Sequence, residues 1–128
     1  MLVGVPREIK NHEYRVGLLP AGVRELVHHG HQVIVESDAG SAIGFDNDAY
    51  RQAGAEIIPT AREVFDRAAM VIKVKEPQAG ELEMLHESQT LFTYLHLAPD
   101  LPQTKGLIQS GATCIAYETV TDARGRLP

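Results

Sequence analysis

Six short apolar runs, each separated from the next by a turn signal or a helix-forming stretch, leave few folds open to this sequence. The runs from Leu2 to Val5, Gln32 to Glu36, Ala55 to Ile58, Met70 to Val74, Thr90 to Leu95 and Thr113 to Tyr117 are rich in β-branched residues and of strand length. Between them lie helix boundaries. Pro20 is placed for a first helical turn and Gly30 for a C-terminal cap, while Asp46 opens a segment that Gly54 ends. Thr60 and Glu63 stand at capping-box spacing, a short helix is predicted from Glu81 to His86, and Asp100 opens a helix ending near Gly111. Strand and helix alternating through short turns predicts an α/β domain: a mostly parallel sheet with helices on both faces.

A chain of 128 residues with 44% hydrophobic content suffices for one core, so one domain is expected. The net charge of -5 and the lack of a long Lys/Arg block exclude a nucleic-acid partner, which needs a concentrated basic face. The opening Met1 to Pro6 is too short for a signal peptide, and no apolar stretch is long enough to span a bilayer. A soluble, cytoplasmic protein without a membrane partner is expected. Its single cysteine, Cys114, lies in an apolar run and reads as a buried, inert thiol. The residues from Thr121 to Pro128 turn polar, as a linker or chain end would.

Open parallel sheets collect ligands beyond the carboxyl ends of their strands. There the sequence places Arg15 after the first run, Lys75 after the fourth, His96 after the fifth and Glu118 after the sixth. A guanidinium grips a carboxylate bidentately, an ammonium polarises a neighbouring carbonyl, and an imidazole moves a proton. The three cationic types suit a small 2-oxo acid. Singly, each is more often a solvated loop residue; their shared sheet edge is what singles them out.

Other features carry less. Adjacent His28 and His29 point in different directions on a helix, and with His31 they sit where the helix macrodipole favours imidazoles, so no metal site is expected. The loop from Gly40 to Gly44 lacks the Lys-Ser/Thr ending of a phosphate loop, and no G-x-G-x-x-G follows any strand. This chain therefore carries no cofactor-binding residues of its own.

The stretches Gly4-Val-Pro-Arg-Glu-Ile-Lys10, Glu13-Tyr-Arg-Val16, Pro20-Ala-Gly-Val23, Val74-Lys-Glu-Pro77, Thr93-Tyr-Leu-His-Leu-Ala98 and Ala116-Tyr-Glu-Thr-Val120 resemble, in order, the N-terminal part of alanine dehydrogenases. The resemblance implies a Rossmann-like or flavodoxin-like fold, the catalytic substrate-binding domain of a two-domain dehydrogenase. It also implies oxidative deamination of L-alanine to pyruvate and ammonium with NAD as hydride acceptor, in a homo-oligomer, hexameric at full length. Under it, Arg15 and Lys75 bind the carboxylate and carbonyl end of the substrate, and His96 is the acid/base residue. Glu118 takes a structural or second-shell place in the cleft. Alanine dehydrogenases continue into an NAD-binding Rossmann domain, which is absent here, so residues 1–128 are read as an incomplete N-terminal domain unable to transfer hydride alone.

Two alternatives stand beside this reading. The N-terminal domain of the proton-translocating NAD(P) transhydrogenase alpha subunit is similar in its opening motif and would make Lys75 dispensable. A free-standing module for small carboxylates would use Arg15 and Lys75 only to sense an anion.

Overall fold

The computed structural model describes residues 1–127. Six strands, β1 (Leu2–Val5), β2 (Gln32–Glu36), β3 (Glu56–Ile58), β4 (Met70–Ile72), β5 (Thr90–Thr93) and β6 (Thr113–Ala116), form one sheet in the order β3-β2-β1-β4-β5-β6. Every neighbouring pair is parallel. Parallel neighbours require crossovers, and these hold the helices α1 (Pro20–His28), α2 (Asn47–Gln52), α3 (Ala61–Arg67), α4 (Ala79–Leu82) and α5 (Leu101–Ser110).

Strand periodicity divides the core in two. Val33 and Val35 of β2 pack with Val3, Val5, Val23 and Tyr50, beneath α1 and α2. Ile34 points the other way and packs with Val64, Phe65, Val71, Leu91 and Leu107, beneath α3, α4 and α5. Helices thus lie on both faces, but not evenly. Phe92 and Ile115, paired in register on β5 and β6, alternate with core-facing Leu91 and Cys114, and Ile115 is 39% exposed.

The expected caps are present. The side chains of Asp46, Thr60 and Asp100 accept from the backbone N–H groups of Ala49, Glu63 and Gln103, and Gly30, Gly54 and Gly111 adopt the left-handed conformation that ends their helices. Five expectations need correction. The short helix predicted from Glu81 to His86 runs instead from Ala79 to Leu82, because Glu81 is its third residue and reaches back to the Gln78 N–H. The fourth strand stops at Ile72 rather than Val74, and the fifth at Thr93 rather than Leu95, where the chain turns to deliver charged side chains. The sixth ends at Ala116, since Tyr117 begins a 3-10 turn. Cys114 is half-buried, not buried, because β6 is an edge strand. The polar segment from Thr121 is described as far as Leu127; Pro128 lies outside the described residues.

Candidate active site

The strand order reverses between β1 and β4, so the crevice of this sheet opens above the carboxyl ends of those two strands. Pro6 closes β1, and the loop after it is tied down at both ends. The Arg7 N–H donates to the Glu36 carboxylate at 2.7 Å, and the Tyr50 hydroxyl donates to the Leu18 carbonyl at 3.0 Å. Gly17 lets this loop press onto β4: a Cβ there would stand 2.5 Å from the Ile72 carbonyl oxygen.

Arg15 projects from the loop and is 62% exposed. Its Nε and one terminal nitrogen donate to both oxygens of Glu13 at 2.8 and 2.6 Å. That bidentate guanidinium pushes the Glu13 carboxyl down to about 2. Lys75 adds a weaker pull in the same direction, so both cations act on this carboxylate.

Beyond β4 the chain meets a buried set of charges. The Lys73 ammonium lies 3.2 Å from the Glu8 carboxylate and 2.8 Å from that of Glu81, and the three side chains are 1%, 2% and 1% exposed. Glu8 also accepts from the backbone N–H groups of Val74 at 2.7 Å and Lys75 at 3.4 Å. Burial raises the Glu8 carboxyl above its ordinary value, against the opposing pull of Lys73. The Thr93 hydroxyl donates to the Lys75 carbonyl at 2.7 Å, the Tyr117 hydroxyl donates to the Val74 carbonyl, and Lys10 pairs with Glu76. The Lys75 segment is therefore held from several sides.

The Lys75 ammonium stands 5.2 Å from the centroid of the Tyr94 ring. On the same ring stacks the His96 imidazole, with centroids 5.7 Å apart and planes 30° from parallel. Tyr117 meets Tyr94 edge-on and packs against Phe92. His96 has φ +47°, a left-handed backbone uncommon outside glycine. Glu118 accounts for it: its Oε1 accepts from the consecutive N–H groups of Leu95 and His96, both at 2.9 Å. Burial raises the Glu118 carboxyl, but these backbone donors outweigh it and leave the group below its ordinary value.

The structure thus joins three of the four sequence-predicted residues. Lys75 and His96 both lie against the Tyr94 ring, and Glu118 holds the His96 backbone. Arg15 stands on the adjoining loop and lines a cavity of about 380 Å³ together with Arg7, Glu13, Tyr14 and Asp38, which neither Lys75 nor His96 lines. Glu8, Lys73, Glu81, Tyr94 and Tyr117 escaped the sequence reading. For Lys73 a signal existed, since a charged residue continuing an apolar strand requires a buried partner.

The three imidazoles of the His28 to His31 region turn to different partners: His29 to the Glu25 carbonyl and His31 to the N-terminal amine, while His28 meets His29 edge-on. Among the described residues no group of three or more His, Cys, Asp or Glu is arranged to hold a metal ion, and no helix is long and apolar enough to cross a membrane.

The family model described as alanine dehydrogenase/PNT, N-terminal domain, matches residues 4–128. An alanine dehydrogenase of Halomonas elongata is 55% identical over 128 residues, all of this chain and 34% of the relative. One from Bacillus subtilis is 51% identical over 124 residues, 97% of this chain and 32% of the relative. The chain spans about a third of the length of these curated relatives. A solved L-alanine dehydrogenase superposes with a TM-score of 0.96 at 49% identity, covering 100% of this chain and 35% of that one. A transhydrogenase from Sinorhizobium meliloti superposes with a TM-score of 0.88 at 24% identity, over 97% and 37% of the two chains, a likeness of fold alone.

Proposed function

This chain belongs to the alanine dehydrogenase/PNT N-terminal domain family, and from that premise we propose that residues 1–128 form the substrate-binding domain of an NAD-dependent alanine dehydrogenase. The reaction is the reversible oxidative deamination of L-alanine to pyruvate and ammonium, in a cytoplasmic homo-oligomer, hexameric at full length. The observation that carries the reading is the gathering of the Lys75 ammonium and the His96 imidazole against one ring, Tyr94, at the carboxyl edge of the sheet.

Each residue has a task that its chemistry suits. Arg15 presents a permanently charged fork to the substrate carboxylate, which must share it with Glu13. Lys75 polarises the oxygen of the 2-oxo group. His96 holds and returns the proton exchanged at the reacting carbon–nitrogen centre, an imidazole's usual work near neutral pH. Glu118 fixes His96 through its backbone.

NAD, which takes up the hydride, does not fit this chain's own loops. The turn after β1 carries the carboxylates Glu8 and Glu13, and its Gly17 serves close approach to Ile72 rather than to a pyrophosphate. The cofactor site belongs to a separate Rossmann domain of the full-length protein.

The test is reduction of pyruvate in the presence of ammonium, followed by loss of reduced-nicotinamide absorbance in the full-length protein and its Lys75→Ala variant. Turnover in the wild type and its loss in the variant support the reading. Pyruvate turnover that survives Lys75→Ala removes Lys75 from the mechanism, and a wild type inert toward pyruvate favours transhydrogenase-type chemistry.

A further inference from the structure

We propose that Glu8 is a positioning residue of this crevice, setting where Lys75 stands by gripping the backbone of Val74 and Lys75 from below. The proposal rests on the alanine dehydrogenase reading for its substrate and adds a residue on which that reading does not depend.

The segment 74–78 carries Lys75 out of the sheet and into α4. At its start, Glu8 accepts from two consecutive N–H groups, those of Val74 at 2.7 Å and Lys75 at 3.4 Å. At its end, Glu81 accepts from the Gln78 N–H at 2.8 Å. The two carboxylates are joined by the Lys73 ammonium, 3.2 Å from one and 2.8 Å from the other. Carboxylate, ammonium and carboxylate make a buried bracket under the loop whose upper side presents Lys75. Because Glu8 lies in the same loop as Arg15, the bracket also fixes the arginine's loop relative to the lysine's.

Stability alone is a poor account of this arrangement. Desolvating three charges is costly, and well-packed apolar side chains of similar volume commonly match or exceed a buried ion set. No apolar side chain, however, accepts hydrogen bonds from two successive backbone N–H groups. What Glu8 contributes that leucine or methionine would not is placement, and a displacement of about 1 Å in a reacting group costs up to about 100-fold in rate.

The experiment compares wild-type, Glu8→Ala and Glu8→Gln full-length protein in two assays: pyruvate reduction, and the rate at which the Lys75 amine is acylated by a water-soluble anhydride, read by peptide mapping. Glu8→Ala is expected to raise the KM for pyruvate about tenfold or more, with the KM for the reduced nicotinamide within about twofold of wild type. Glu8→Gln keeps one oxygen for the Val74 N–H and is expected to fall between the two. Lys75 acylation should change at least about threefold in either variant, reflecting its altered surroundings. A wild-type KM for pyruvate and a wild-type Lys75 acylation rate in Glu8→Gln, with only thermal stability reduced, would overturn the proposal. If Glu8→Ala does not fold, Glu8→Gln decides. If the wild type does not turn over pyruvate, the alanine dehydrogenase reading fails, and acylation of Lys75 still tests whether Glu8 positions it.

Discussion

Glu118 holds the backbone N–H of His96 at 2.9 Å while His96 occupies the left-handed region at φ +47°. The same carboxylate oxygen takes the N–H of Leu95, so the turn that aims the imidazole rests on one side chain. Glu118→Ala should therefore lower kcat/KM for pyruvate by about 10- to 100-fold through misplacement of His96, with Glu118→Gln less affected. Steady-state kinetics on the two full-length variants checks this. Since the folded-state carboxyl sits below its ordinary value, its contribution to stability is present above the unfolded value of 4.5 and is lost as pH falls through the lower, folded one.

Conformation and chemistry at position 96 should separate. Asparagine tolerates a left-handed backbone, whereas a β-branched residue does not. His96→Asn is expected to abolish turnover while leaving the unfolding midpoint close to wild type. His96→Val is expected to lose turnover and also about 1–2 kcal/mol of stability, measured by urea titration.

Arg15 and Glu13 make a pH-sensitive pair. The guanidinium's hydrogen bonds hold the Glu13 carboxyl at about 2, against its ordinary value of 4.5. A depressed folded-state pKa stabilises above the unfolded value, so this contribution is full at neutral pH and disappears between 4.5 and about 2. Carbon-detected NMR titration should place the Glu13 transition near the bottom of that window. In Arg15→Ala it should move up toward the ordinary carboxylate range.

Gly17 leaves no room for a methyl group. A Cβ would lie 2.5 Å from the Ile72 oxygen and 3.0 Å from the Lys73 Cα, both backbone atoms. Gly17→Ala should cost about 1–3 kcal/mol as the loop lifts from β4. Denaturant unfolding measures that cost, and a raised KM for pyruvate would accompany it because Arg15 rides on the same loop.

Removing the central cation of the buried bracket should cost far more than removing all its charges. Lys73→Met leaves the Glu8 and Glu81 carboxyls without their ammonium at 2% and 1% exposure, and about 3–5 kcal/mol of destabilisation is expected. Adding Glu8→Gln and Glu81→Gln should restore at least half of the loss in the same unfolding assay.

The alternation of strands and helices was legible because its signals are local. Asp46, Thr60 and Asp100 cap helices through residues three positions away, and Gly30, Gly54 and Gly111 end them by their own backbone. Arg15, Lys75, His96 and Glu118 were visible as polar residues beyond apolar runs. The bracket was not, since Glu8 and Lys73 are 65 positions apart and no periodicity links them. Their pairing also explains the shortened fourth strand, because Lys73 takes a place that continued apolar alternation would have filled. The Tyr94 platform was hidden for a similar reason: an aromatic residue beside a strand end reads as packing until its neighbours across the sheet are known.

The central place of β1 has a consequence in time. Its Val3 pairs with Val33 on one side and Met70 on the other, so β1 stays open on one edge until β4 emerges, after β2 and β3 have already been made. At a ribosomal pace of about 5–20 residues per second, several seconds pass between the emergence of Val3 and that of Met70. During that interval a nascent chain offers an apolar ribbon with one open edge to whatever binds such ribbons.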